Sequence, residues 1–172
     1  RGAYNSFNKV KTKIILKHHG IPVPRYAVIS ARTWRQKSAR FSFPMILKPI
    51  ADGSSIGIYI VNNDDQLRKR VITIFRNNDF YLLEQYIRGR EITIGILGNR
   101  ALPIVELKPK RRFYDYTAKY TKGCTRYIVP ASFGQRNDRL YKKIALDAHR
   151  ALGARDFSRV DMMVDANDTP YV

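Results

Sequence analysis

The chain has 172 residues, 44% of them hydrophobic, and its 32 Lys+Arg against 14 Asp+Glu give a net charge of +18. That length supports one domain or two small lobes, and the ordinary Gly and Pro content, free of repeats and low-complexity tracts, sets aside fibrous and disordered classes. The longest apolar runs are strand-sized, which excludes a membrane-spanning helix; no signal peptide is visible, and the lone Cys124 excludes an internal disulfide. A single cysteine favours a reducing interior, so a cytoplasmic location is expected. The positive charge attracts polyanions, whether nucleic acid, anionic membrane or nucleotide phosphate. Because the basic residues are spread from Lys9 to Arg159, a solvated basic surface is favoured over a dedicated nucleic-acid face.

In chain order, Asn8 to Gly20 reads as a capped helix with Val10, Ile14 and Ile15 at helical spacing, left through Gly20. Ile21-Pro-Val-Pro24 imposes an extended connector, Tyr26–Ile29 a strand, and Ala31–Lys37 a short helix. Pro44–Ile50 and Ile58–Val61 read as strands flanking the loop Ala51–Gly57. Asp64 opens a helix that buries Leu67, Val71, Ile74 and Phe75. Three β-rich segments follow, Phe80–Ile87, Glu91–Leu97 and Ala101–Leu107, with Gly98-Asn99 as a hairpin turn. Lys108–Thr125 is polar, tyrosine-rich and long, which marks a functional loop. Asn137 caps a helix placing Leu140, Ile144, Ala148 and Leu152 on one face and ending at Gly153. Arg159–Asp165 is a strand, and Tyr171-Val172 starts a returning one that has lost its partner contacts. The chain is therefore expected to be a fragment of a longer protein.

Two stretches carry the chemistry. Phe43-Pro-Met-Ile-Leu-Lys-Pro-Ile-Ala-Asp-Gly-Ser-Ser-Ile-Gly57 is an apolar strand with one lysine, then a small-residue loop. Such a loop lets backbone N–H groups and hydroxyls approach an anion, while Lys48 supplies a point charge. Phe113-Tyr-Asp-Tyr-Thr-Ala-Lys-Tyr120 sets Lys119 beside tyrosines on a polar segment. An unpartnered ammonium inside an apolar strand costs several kcal/mol, so Lys48 either has a partner or lies on an edge strand facing solvent. Arg159 and Asp161 alternate along one strand and face the same side, as a surface ion pair or as parts of a site.

These pieces occur in the order found in the D-alanine–D-alanine ligase family of the ATP-grasp superfamily. The resemblance rests on Asn8-Lys9 with Thr12-Lys13, Gly20–Pro24, Lys48-Pro49 with Gly53–Gly57, Glu84-Gln-Tyr-Ile-Arg-Gly-Arg-Glu91, Phe113–Tyr120 and Arg159-Val-Asp161. It implies an α+β ATP-grasp fold: two α+β lobes with mostly antiparallel sheets gripping a nucleotide. Residues 1–88 would form the central subdomain and 89–172 part of the C-terminal one. The chain departs from the family in having Asn8 where aspartate is usual, and in its charge.

By that resemblance Lys9, Lys48 and Lys119 contact the nucleotide phosphates, while Ser54, Ser55 and the neighbouring amides close over the triphosphate. Ser54 also hydrogen-bonds toward Tyr120, a pair that orients substrate. Glu84, Gln85 and Ile87 line the adenine site, partly through backbone groups, Glu91 accepts from the ribose, and Phe113 and Met163 grip the purine. Arg159 stabilises the charged intermediate, and Asp161 binds Mg²⁺ (or Mn²⁺). Without the family pattern, Phe113 and Met163 serve equally well as core packing, and Glu84 and Glu91 as partners of nearby arginines.

The implied reaction joins two D-alanines at the expense of ATP, through an acyl phosphate, for peptidoglycan synthesis. Tyr120, in place of the phenylalanine of ester-forming relatives, points to the dipeptide. The fragment alone is expected to be inactive, and the intact parent to be a homodimer with no membrane attachment. Another ATP-grasp carboxylate–amine ligase is the alternative; a basic nucleic-acid-binding module is the rival from another class.

Overall fold

The computed structural model describes residues 2–51, 56–76, 80–109 and 125–172; Ser54, Ser55, Phe113, Lys119 and Tyr120 lie outside them. The chain opens with two helices, α1 (Gly2–Phe7) and α2 (Lys9–His18). The first was not expected. The second ends as expected at Gly20, whose φ of +70° turns the chain. There Gly20 N–H donates to Lys17 O and Ile21 N–H to Leu16 O, a Schellman closure. Its buried residues are Lys13 and Leu16, whereas Ile14, expected on the apolar face, is 57% exposed. Apolar spacing alone defined a stripe one position away from the one that packing uses.

Two compact units follow from the contacts, one of Phe7–Val10 and Pro24–Tyr86, the other of Arg1–Ser6, Lys11–Val23 and Ile87–Val172. The first contains β1 (Tyr26–Ile29), α3 (Trp34–Ser38), β2 (Met45–Pro49), β3 (Tyr59–Val61), α4 (Asp64–Ile74) and β4 (Tyr81–Gln85). Its strands form an antiparallel sheet in the order β1-β4-β2-β3. Helix α3 starts at Trp34, three residues later than expected. The Thr33 hydroxyl instead accepts from Ser30 N–H, closing a local turn that competes with helix. Helix α4 starts as expected: Asn63 accepts from Gln66 N–H, and Asp64 and Asp65 complement the positive end of the helix dipole. Leu67, Val71 and Ile74 then pack on Ile29, Met45, Leu47, Val61, Tyr81 and Leu83. Phe75 is the C-cap and only partly buried.

The second unit adds β5 (Gly89–Leu97), β6 (Arg100–Ala101), β7 (Val105–Pro109), β8 (Thr125–Ile128), α5 (Gln135–Ala151), β9 (Phe157–Asp165) and β10 (Pro170–Tyr171). The sheet order is β10-β9-β5-β7-β8, with β6 continuing the β5 hairpin through Gly98-Asn99. The single strand expected over Ala101–Leu107 is divided because Pro103 has no N–H for the ladder. Strand β8 emerges from the end of the segment read as loop.

Helix α5 begins at Gln135, not Asn137, after Gly134 at φ +85°. Its buried residues are Tyr141, Ala145, Ala148 and His149, while Leu140 is 42% exposed. Of the expected face only Ala148 is fully buried; two alanines allow close approach to the sheet. Gly153 ends the helix as expected, with Gly153 N–H donating to Arg150 O and Ala154 N–H to His149 O. The helix covers Ile92, Ile94, Ile96, Val160, Met162 and Val164, and Leu16 joins the same core. The returning strand keeps its partner, contrary to expectation: Pro170 pairs with Val164, Tyr171 with Met163, and Val172 N–H donates to Pro22 O.

Candidate functional site

In the β1-β4-β2-β3 sheet, alternation sends Met45, Leu47 and Pro49 to the helix-covered side and Ile46 and Lys48 to the other. Strand β2 is interior to the sheet, so Lys48 is not an edge-strand lysine. Its partner is one row away on β4: Lys48 Nζ lies 2.6 Å from Glu84 Oε2, with the lysine 25% and the glutamate 1% exposed. Tyr26, Glu84, Ile46 and Ile60 form one cross-strand row on this side, and Val28, Leu82 and Lys48 the next. A buried carboxylate held by an ammonium that still reaches solvent leaves the cation accessible to an anion.

Near the end of β2, Lys9 N–H donates to Ile50 O and so holds the start of α2 there. Past the small-residue loop, Tyr81 Oη donates to Gly57 O at 3.2 Å, and Gly57 has φ +70°. A Cβ at Gly57 would sit 2.8 Å from Pro49 Cγ, so glycine is required twice over. Gln85 and Glu84 project to opposite faces of β4; Gln85 is exposed, its N–H donates to Arg25 O, and Ile87 is buried.

In the other unit, β5 and β9 pair over nine residues, from Gly89 opposite Asp165 to Leu97 opposite Phe157. Ile92, Ile94, Val160, Met162 and Val164 face the helix, which puts Glu91, Thr93, Arg159, Asp161 and Met163 together on the other side. Glu91 stands opposite Met163, and Thr93 opposite Asp161. Arg159 Nε donates to Asp161 Oδ1 at 2.8 Å and its terminal nitrogen to Oδ2 at 2.9 Å. Thr93 Oγ1 donates to Asp161 Oδ1 at 2.6 Å. Sequence reasoning passed over Thr93: its place on Glu91's face was legible, but its register against Asp161 was not.

On the helix-facing side, Arg90 donates twice to buried Glu106, each bond 2.8 Å, with the guanidinium 3.5 Å over the Phe133 ring. Hydrogen bonding to Arg90 holds the Glu106 carboxyl below the usual range, and the same bond raises Arg90. Tyr141 Oη donates to Asp168 O at 3.0 Å, and burial pushes its phenol up to about 12. His149 is buried between Ser158 Oγ and Arg155 O, a structural role.

Among the described residues no group of three or more His, Cys, Asp or Glu gathers as a metal cage. Asp161 offers a half-exposed carboxylate on the polar sheet face, beside Glu91. Its hard oxygens suit magnesium, which commonly takes one or two carboxylates and completes its shell with phosphate and water.

Two α+β units, each built on an antiparallel sheet, match the ATP-grasp architecture of solved D-alanine–D-alanine ligases. The fold matches the D-alanine–D-alanine ligase of Bacillus anthracis complexed with ATP at a TM-score of 0.81 and 29% identity, covering 99% of this chain and 55% of that one. VanG D-Ala:D-Ser ligase from Enterococcus faecalis matches at 0.79 and 25%, covering 96% and 50%. The family sequence model described as D-ala D-ala ligase C-terminus matches residues 15–172. The chain therefore belongs to the D-alanine–D-alanine ligase family. The ligase of Halalkalibacterium halodurans is 34% identical over 170 residues, 95% of this chain and 56% of the relative. That of Syntrophotalea carbinolica is 38% identical over 159 residues, 92% and 52%. The chain spans about half the length of the curated relatives it matches.

Proposed function

We propose that the protein containing this chain is a cytoplasmic ATP-dependent ligase that joins two D-alanines for peptidoglycan synthesis and works as a homodimer. The reading places residues 1–88 in the central ATP-grasp subdomain and 89–172 in the C-terminal one. The first D-alanine carboxylate attacks the γ-phosphorus and displaces ADP; the amine of the second attacks the resulting acyl phosphate and expels phosphate. The triphosphate, the attacking carboxylate and the transferred phosphoryl group all carry negative charge, so the barrier falls mainly through placed cations.

Lys9, Lys48 and Lys119 serve the phosphates, with Ser54, Ser55 and their backbone amides. Glu84, Gln85 and Ile87 line the adenine pocket partly through backbone groups, since Glu84 and Gln85 project to opposite faces of β4; Glu91 accepts from the ribose, and Phe113 and Met163 hold the purine. Ser54 and Tyr120 orient substrate, and Arg159 stabilises the tetrahedral intermediate. Asp161 is the metal ligand; when bound, magnesium would neutralise charge on the phosphates.

The observation that most supports this reading is the β5–β9 register. It sets the ribose acceptor Glu91 opposite the purine wall Met163, with Asp161 and Arg159 next along the same face. The likeness to a D-Ala:D-Ser ligase leaves a related carboxylate–amine ligase as the second reading. Titrating the purified protein with ATP and Mg²⁺, then assaying phosphate release from the whole protein with D-alanine, D-serine or D-lactate as acceptor, tests both. Failure to bind ATP, or oligonucleotide binding that ATP does not displace, refutes the ligase assignment.

A further inference from the structure

We propose that Thr93 is a positioning residue that fixes the Asp161 carboxylate for the metal; this rests on the reading of Asp161 as a ligand. Asp161 is held from two directions, by Arg159 two residues earlier on β9 and by Thr93 across the ladder on β5. The two restraints differ in kind. Arg159 is long and mostly exposed, so its pair with Asp161 is weakly held against water and competing anions. A polyphosphate approaching this face draws the guanidinium onto itself and removes that restraint.

Thr93 cannot leave in the same way. It sits on β5, flanked by Asp161 on β9 and Val105 on β7, and its β-branched side chain has few rotamers on a strand. The 2.6 Å separation is short, as expected for a hydroxyl donating to a carboxylate. This bond occupies Oδ1 and turns the carboxylate plane, so that Oδ2 becomes the oxygen presented once Arg159 departs. Outer partners of this kind set the orientation of a ligand before the metal arrives.

The test uses Mn²⁺ as probe, its binding followed by electron paramagnetic resonance with a nonhydrolysable ATP analogue present. Thr93→Val removes the donor and keeps the shape; the expected result is a loss of Mn²⁺ affinity of about tenfold, the lower end for outer-shell partners. Thr93→Ser keeps the hydroxyl and restores most of it. Analogue affinity without metal stays at the native value in both variants, and because the bond is exposed the thermal midpoint falls by no more than roughly 4 °C in Thr93→Val, which separates positioning from a structural role. Native affinity in Thr93→Val, or an equal loss in Thr93→Ser, overturns the proposal. If the native protein binds analogue but not Mn²⁺, or binds neither, the reading of Asp161 fails and takes this inference with it. If it binds both and Thr93→Val changes nothing, only the inference falls.

Discussion

Replacing Gly89 by alanine tests how the β5–β9 ladder supports the polar face. Gly89 opens β5 opposite Asp165, and its φ is not left-handed, so backbone strain plays no part. The obstacle is space. A Cβ there would lie 1.8 Å from Val164 O, 2.7 Å from Val164 C and 3.0 Å from Asp165 Cα, all backbone atoms that no rotamer change can move. An ordinary carbon–oxygen contact needs about 3.3 Å, so the strand end must part from β9 by more than an ångström. Overpacking of this kind costs about 1–3 kcal/mol, and each ladder hydrogen bond lost at the end adds about 1 kcal/mol. A total near 3 kcal/mol corresponds to a fall in thermal midpoint of roughly 6–12 °C for a chain of this size. Gly98→Ala is the control: Gly98 has φ +55° and open space around it, so only left-handed strain of about 1–2 kcal/mol applies. Urea denaturation of the two variants and the native protein gives the comparison. If Gly89→Ala unfolds within about 0.5 kcal/mol of native, the level of an ordinary surface change, the argument from close backbone approach is wrong.

Three further outcomes follow from the same structure. Tyr141 is buried with its phenol raised to about 12, so its contribution is complete below the unfolded value near 10 and is lost as pH rises toward 12. Tyr141→Phe should be less stable at neutral pH yet show a flatter decline in stability over that alkaline window. Glu106 behaves in the opposite sense: its lowered carboxyl stabilises above the unfolded value near 4 and loses that contribution as pH falls through its folded value. Glu106→Gln should cost about 1.5–3 kcal/mol at pH 7, the range for a charge-assisted hydrogen bond, with a shallower acid limb in urea titrations at stepped pH. Lys48→Met removes the ammonium beside Glu84 and the proposed phosphate contact together. Isothermal titration should then find ATP affinity reduced at least about tenfold, as for loss of one charged hydrogen bond; native affinity would remove Lys48 from the phosphate site.

Much of this protein was legible from local chemistry. Asp64 marked the start of α4, Gly20 and Gly153 the ends of α2 and α5, and Gly98-Asn99 the β5–β6 turn. Each signal works within one turn of chain, where a side chain caps an N–H or a glycine reaches positive φ. The alternation of Arg159 and Asp161 onto one face was equally plain. Helix faces were less so. Leu140 and Ile14 are apolar at helical spacing yet exposed, because the contour of the packed sheet, and not the residue pattern, selects which adjacent stripe is buried.

Pairing across long sequence separations lay wholly beyond the chain's own pattern. That Lys48 would find Glu84, or Thr93 lie opposite Asp161, depends on strand order and register. Register is set by how two apolar faces close over one core, and a one-residue slip would send every side chain to the other side. The residue types and their periods therefore announced which groups were available, and only the folded ladders decided which of them meet.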